Sequence, residues 1–307
     1  MKNSPNKYVF AVIALALANI IGGGAGFASK ILLRELPPLT ILFLRLTIML
    51  CILVPLSMKR LLHLLQHWKQ LTLLGLFWVV NLSLYIIGIK FTTVIAASII
   101  YLGIPILVLL EDILMNKSKL LVWQGIGIVL GCVGAIVVVL ESIDTRIGFG
   151  TLFGNVLLLC ATACYSLYLT YSKKMNPHVS PLGLTTGSTV IGWIVALILM
   201  ITFDGVSGLS HIPFLSISAW EALLFVGILL GVVMYLLNQW GIKHGSAVIA
   251  GAMLYVGTLT AWTSGVLFLS EKITFLTLLG GALLIVGVFF TTLMPFFTSR
   301  RHSKVHS

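Results

Sequence analysis

Acidic residues are scarce in this chain, with eight Asp and Glu among 307 residues. Charge of either sign makes up only 9% of the sequence, against roughly a quarter in soluble globular proteins. So few charges cannot clothe a surface that faces water. Cysteine is equally sparse. Cys51, Cys132, Cys160 and Cys164 lie inside apolar runs without a C-x-x-C pair, which excludes a disulfide framework and a metal site built on them. They read as small buried hydrophobes. Sequence signatures of catalysis are missing too: no H-E-x-x-H, no G-x-S-x-G, no paired intramembrane aspartates. What is abundant is apolar, 59% of the chain, in runs of about 20 residues that recur from end to end. The class is an all-α integral membrane protein. A net charge of +11 would suggest nucleic acid in a soluble protein. Here the basic residues fall in short connectors, and no nucleic-acid partner is expected.

Ten segments have the length and character of bilayer-crossing helices: 8–28, 39–58, 70–89, 94–114, 121–141, 150–171, 181–203, 219–240, 247–269 and 273–295. The first resembles a signal peptide with cleavage near Ala25–Ala28. With nine further spans and no soluble domain behind it, we read it as a retained helix. Orientation follows from Lys and Arg. With the N-terminus in the cytoplasm, Lys2, Lys7, Lys59, Arg60, Lys69, Lys117, Lys119, Lys173, Lys174, Lys243, Arg300, Arg301 and Lys304 lie inside, and Lys30, Arg34, Lys90, Arg146 and Lys272 lie outside. That bias predicts both termini in the cytoplasm and a multi-pass protein of a bacterial-type plasma membrane.

The chain also repeats itself. Ser29-Lys30 and, eight residues on, Pro38-Leu39 return as Ser172-Lys173 and Pro181-Leu182. Gly88-Ile-Lys90 returns as Gly241-Ile-Lys243, Tyr101-Leu-Gly103 as Tyr255-Val-Gly257, and Gly127 and Gly134 as Gly280 and Gly287. Four collinear landmarks indicate duplication. Because each half holds five spans, an odd number, the second must enter the bilayer from the other side. The expected architecture is two five-helix inverted repeats, residues 1–146 and 147–296, with a basic cytoplasmic tail at 297–307 and a site near the midplane where the halves meet. Gly22/Gly26, Gly127/Gly131 and Gly227/Gly231 stand four apart, the spacing that lets helices approach closely in lipid. The run Gly22-Gly-Gly-Ala-Gly26 reads either as packing or as a break in the first helix.

Several pieces together resemble the EamA family of the drug/metabolite transporter superfamily over nearly the whole length. They are Pro38-Leu39 with Phe43-Leu44-Arg45, Ala97-Ser98 with Pro105, Gly127 with Gly134, Gly154-Asn-Val-Leu-Leu with Tyr165-Ser-Leu-Tyr168, Tyr235 with Gly241-Ile-Lys, and Ser270-Glu271-Lys272 with Gly280 and Gly287. The resemblance implies a ten-helix carrier of small organic solutes, often an exporter of amino acids or other metabolites. One departure is that the family carries Gly-Glu-Arg-like residues after spans four and nine. Glu271 fits the second place, whereas the first reads Met115-Asn-Lys-Ser-Lys119 without an acid.

The candidate cavity-lining, substrate-binding residues are Asn19, Arg45, Trp78, Asn81, Tyr85, Tyr101, Tyr165, Asn238, Tyr255 and Trp262. Amides inside hydrocarbon need partners or a wet cavity. Arg45 lies about 9 Å into its span. There a cation either secures packing by bonding neighbouring carbonyls or faces a cavity and attracts an anionic group. Tyr101 and Tyr255 occupy equivalent repeat positions and would form a symmetric pair. As path-lining rings they would favour aromatic or cationic solutes. No Asp or Glu sits mid-span, and the seven histidines lie in connectors or the tail, so nothing suggests a midplane proton relay. The expected function is secondary transport of small organic metabolites, amino-acid or drug-like solutes, by alternating access and efflux across the inner membrane, with a small-molecule substrate and the lipid bilayer as partners and no cofactor or metal. A passive channel, a non-transporting membrane protein and an intramembrane enzyme are the alternatives.

Overall fold

The computed structural model describes residues 5–58, 66–116, 120–144, 149–175, 178–244 and 247–294. The expected tail 297–307 lies outside them, as do Lys59, Arg60, Lys117, Lys119 and Arg146. Among the described residues there is no strand, and nine helices are long and apolar enough to cross a membrane. Together with one further apolar helix they are, in chain order, α1 (Val9–Leu32), α2 (Pro38–Ser57), α3 (Trp68–Phe91), α4 (Val94–Met115), α5 (Val122–Leu140), α6 (Thr151–Met175), α7 (Pro181–Asp204), α8 (Ile217–Asn238), α9 (Ala247–Leu269) and α10 (Phe275–Thr292). Their starts follow local chemistry. Pro38 opens α2 and Pro181 opens α7, where a fixed φ and a missing N–H cost nothing. The hydroxyls of Thr93, Ser180, Ser216 and Thr274 cap the first turns of α4, α7, α8 and α10.

The outside of the bundle is apolar. Phe10, Val129, Leu259, Leu267 and Phe268 are exposed, as a lipid-facing surface requires. This corrects the expectation for cysteine: Cys51, Cys132 and Cys160 face outward and Cys164 is half-buried. In lipid a small apolar side chain gains nothing by turning inward.

Helix contacts occur in matched pairs. The pairing of α3 with α6 has its counterpart in α8 with α1, that of α3 with α7 in α8 with α2, and that of α4 with α6 in α9 with α1. Each counterpart exchanges a helix for the one five places along. The match reaches single residues. A Cβ on Gly88 would meet the Gly154 carbonyl and Leu158, while one on Gly241 would meet the Ala11 carbonyl and Leu15. Ala11 and Leu15 stand 143 residues before Gly154 and Leu158, and Gly88 stands 153 before Gly241. Where α5 meets α10, Gly127 abuts Gly287 and Gly134 abuts Gly280, so these two helices run in opposite directions.

Besides π turns at Met200–Asp204 closing α7 and Phe289–Leu293 closing α10, three irregularities interrupt the helices. α1 bends at Gly24, whose N–H bonds Ile21 O at 3.1 Å. The glycine run serves close crossing as well, since Cβ atoms on Gly23 and Gly26 would strike Gly257 and Val94. α4 breaks at Leu102 and Gly103, just ahead of Pro105, which cannot donate the next helical bond. In α8 the turns Phe225–Val233 are π-helical, whereas α3 is a regular α-helix throughout.

The α5–α10 crossing leaves no space for a side chain. Gly134→Leu, whose Cβ would lie 2.6 Å from the Gly280 carbonyl oxygen, is expected to cost about 1–3 kcal/mol. Gly125→Ala, with only a methyl of Leu120 at 3.7 Å, should not lower stability and gains up to about 1 kcal/mol of helix propensity. Thermal unfolding of the detergent-solubilised protein compares the two.

Candidate functional site

A cavity of about 260 Å³ lies inside the bundle. Its wall comes from α1, α2, α3 and α4 of the first half and α6, α8 and α9 of the second. The irregular helices converge there: Gly22, Gly23 and Gly26 at the bend of α1, Leu102 at the break of α4, and Leu230 on the wide turns of α8 all line it. Bends and π turns expose backbone and redirect side chains, which is why they gather at functional sites.

Seven of the ten sequence candidates line this cavity: Asn19, Arg45, Asn81, Tyr85, Tyr101, Tyr165 and Asn238. Asn81 is buried and donates to the Tyr101 hydroxyl at 2.6 Å and to the Ala161 carbonyl at 2.8 Å, tying α3 to α4 and α6. Asn19 donates to Leu15 O at 2.9 Å within its own helix. The rings of Tyr85 and Tyr101 pack edge-on at 5.4 Å, and those of Tyr101 and Tyr165 lie 6.5 Å apart. Arg45 is 9% exposed. Its electrostatic neighbours are Tyr235, Tyr85, Tyr101 and Tyr165, and its Nε has no hydrogen-bond partner.

The structure sets three candidates behind the wall. Trp78 is buried against Gly192 and donates its indole N–H to the Tyr235 hydroxyl at 3.0 Å. Trp262 donates likewise to Ser98 Oγ at 3.0 Å. Each tryptophan therefore holds a hydroxyl that itself lines the cavity. Tyr255 turns away and donates to Ile285 O of α10 at 3.1 Å, so the expected symmetric pair with Tyr101 does not form. A break in α4 and an unbroken α9 send the two side chains to different neighbours. Ser98 and Thr258, polar residues inside spans but not among the binding candidates, also line the cavity, and sequence reasoning missed Tyr235. For Tyr235 the signal was present, since it lies three residues before Asn238 on one helical face.

Acidic side chains join the halves at one end of the bundle. Glu35 accepts from the N–H and hydroxyl of Ser216, at 2.9 and 2.5 Å. Asp204 accepts from the N–H and hydroxyl of Thr40, at 2.7 and 3.1 Å. Glu271 accepts from the N–H groups of Val94 and Ile95, at 2.7 and 3.1 Å. Each carboxylate caps the start of a helix in the other half, where unpaired N–H groups and the helix dipole favour negative charge. Ser270, with φ of 54°, adopts the left-handed conformation that turns Glu271 back toward α4. At the opposite end Ser57 and Thr186 are joined by neutral hydroxyls at 2.7 Å. Glu111, at the far end of α4, accepts from Ser166 and Thr170 of α6 at 2.5 Å each.

A bundle of apolar helices around an internal cavity that holds a cation, amides and hydroxyls has the architecture expected of a membrane transporter. The EamA-like transporter family model matches residues 9–140 and 152–293, so the chain belongs to that family and carries two such repeats. It is 26% identical over 287 residues to an uncharacterized transporter of Archaeoglobus fulgidus, covering 91% of this chain and 96% of that one. To the uncharacterized transporter YyaM of Bacillus subtilis (strain 168) it is 24% identical over 208 residues, 67% of each chain. A solved structure superposes with a TM-score of 0.63 at 16% identity, covering 94% of this chain and 98% of the other, a likeness of fold alone.

Removing the Glu271 clamp by Glu271→Ala strands two helix-start N–H groups and is expected to lower stability by about 1–3 kcal/mol in thermal melts. Glu35 responds to pH in a defined direction. The Ser216 hydroxyl and N–H hold its carboxyl below the ordinary carboxylate range. A depressed value means the clamp is fully formed above the ordinary carboxylate value of about 4.3. It is lost only as pH falls through the lower, folded value. Stability contributed by this clamp, read as the difference between wild type and Glu35→Gln, should be flat from pH 7 to about 5 and vanish in stronger acid.

Proposed function

We propose that the chain is a secondary carrier that exports a small organic metabolite by alternating access. In this reading ten helices cross a bacterial-type plasma membrane as two five-helix repeats of opposite orientation, with both termini in the cytoplasm. The observation that carries it is a cavity enclosed by both repeats and lined by Arg45, Asn81, Asn238 and a group of tyrosines. The opposed run of α5 and α10 and the paired helix contacts support the inverted relation between repeats. A site at the meeting of such repeats can be exposed to either side by rocking one against the other.

The end closed by the Glu35, Asp204 and Glu271 clamps carries Lys30, Arg34, Lys90 and Lys272, the residues that the positive-inside distribution assigns to the outside. The described conformer is then one tied shut at its outer end, ready to be loaded from the cytoplasm. Such closure favours a carrier over a passive channel.

Counterflow in proteoliposomes tests this reading. Preloaded unlabelled solute should accelerate uptake of the same solute in labelled form, which a passive pore does not do. Arg45→Gln and Asn81→Leu should slow exchange about tenfold or more, equivalent to losing about 1.4 kcal/mol or more of interaction. Solute-independent leakage, or exchange unaffected by both substitutions, would contradict the proposal.

A further inference from the structure

The cavity combines a cation with hydrogen-bond donors, and among its described lining residues there is no acid. Among its described lining residues Arg45 is the one charged side chain. No described hydrogen bond or salt bridge reaches its guanidinium, and its Nε is fully enclosed without a partner. The hydroxyls around it also have protons to spare. Tyr101 accepts from Asn81, leaving its own O–H free to donate. Tyr235 accepts from Trp78, leaving its own O–H free to donate. Both amide hydrogens of Asn81 are already given to Tyr101 and Ala161.

A buried guanidinium has five donors and no acceptor, and it matches a carboxylate in geometry as well as charge. Leaving it unpaired in a low-dielectric interior is costly, so an arriving anion gains what the empty site lacks. A cationic ligand would meet like charge and no carboxylate to neutralise its ammonium. The Tyr85, Tyr101 and Tyr165 rings give the rest of the ligand an apolar, flat-sided surface. The volume of about 260 Å³ is below the roughly 300–1,000 Å³ that holds drug-sized ligands, so the ligand is small.

We propose that this cavity selects a small organic monocarboxylate carrying an apolar or aromatic group. Its carboxylate is held by the Arg45 guanidinium and by the free tyrosine hydroxyl protons. Zwitterionic amino acids and organic cations are discriminated against. The inference rests on the carrier reading for its biological meaning, but it is a statement about binding and is tested without transport.

The experiment is calorimetric titration of the purified, detergent-solubilised full chain with four ligands that share one ring and differ in charge: 3-phenylpropanoate, 3-phenylpropanamide, phenylalanine and phenethylamine. The anion should bind and raise the melting temperature, and the other three should bind at least about 30-fold more weakly, the size of effect expected for a lost charge-assisted bond. Arg45→Gln should abolish the preference for the anion over the amide. Tyr101→Phe, which keeps the ring and removes the hydroxyl, should weaken the anion selectively. If Arg45→Gln does not fold, the wild-type series and Tyr101→Phe still decide. The proposal is overturned if phenylalanine or phenethylamine binds as tightly as the anion, if the anion fails to bind at millimolar concentration, or if Arg45→Gln binds it unchanged. A chain that binds the anion selectively yet shows no counterflow would instead sink the carrier reading and leave this one standing.

Discussion

An arginine buried in an apolar helix bundle is the constraint around which the rest of this structure is arranged. Arg45 is 9% exposed, and among the described residues no carboxylate answers it. Insertion into hydrocarbon costs about 2.5–3.5 kcal/mol for an arginine at a helix centre, less near an end. The bundle avoids that cost by turning the side chain inward, into a space lined by hydroxyls and amides. Keeping that space open requires helices that bend or widen: α1 at Gly24, α4 ahead of Pro105, α8 through its π turns. A bundle of ten straight, evenly packed helices would have closed over it.

The two halves contribute a nearly symmetric frame and an asymmetric lining. Glycine-to-backbone contacts repeat between the halves at the level of individual atoms, as Gly88 with Gly154 and Gly241 with Ala11 demonstrate. Yet the position equivalent to Arg45, 143 residues on, is Ser188, and Tyr101 and Tyr255 take different partners. In the proposed carrier symmetry suits the frame, because the same packing would serve as the halves exchange roles. Asymmetry suits the lining, because one small solute is itself asymmetric. The ends differ too: carboxylates on helix starts hold one, whereas side-chain hydroxyls join the other, Ser57 with Thr186 and Ser166 and Thr170 with Glu111.

Hydropathy and self-comparison made the helices and the repeat legible, since both depend on composition and order alone. Most of the cavity was legible as well, because an amide or a cation in an oily span has few places to go. Three kinds of feature were hidden. Trp78, Trp262 and Tyr255 look like lining residues on their own helices, but which neighbour receives their polar atom depends on helix rotation, and that is set by glycine contacts across the bundle. Glu35 and Asp204 carry no sequence signal for the bonds they make, which form only where the α1–α2 connector and the start of α2 meet the start of α8 and the end of α7. The π turns of α8 have no local signal beyond Gly227 and Gly231, whose close neighbours Ile48 and Met49 belong to α2.

The central claim is that the two ends of the bundle open in alternation. Distances between spin labels in a cysteine-free background measure this directly, with one pair at Arg34 and His211 beside the clamped end and another at Met58 and Lys174 at the opposite end. On addition of a transported solute to the reconstituted protein, the first distance should lengthen while the second shortens. If both distances stay fixed, or lengthen together as in a pore, the account is contradicted.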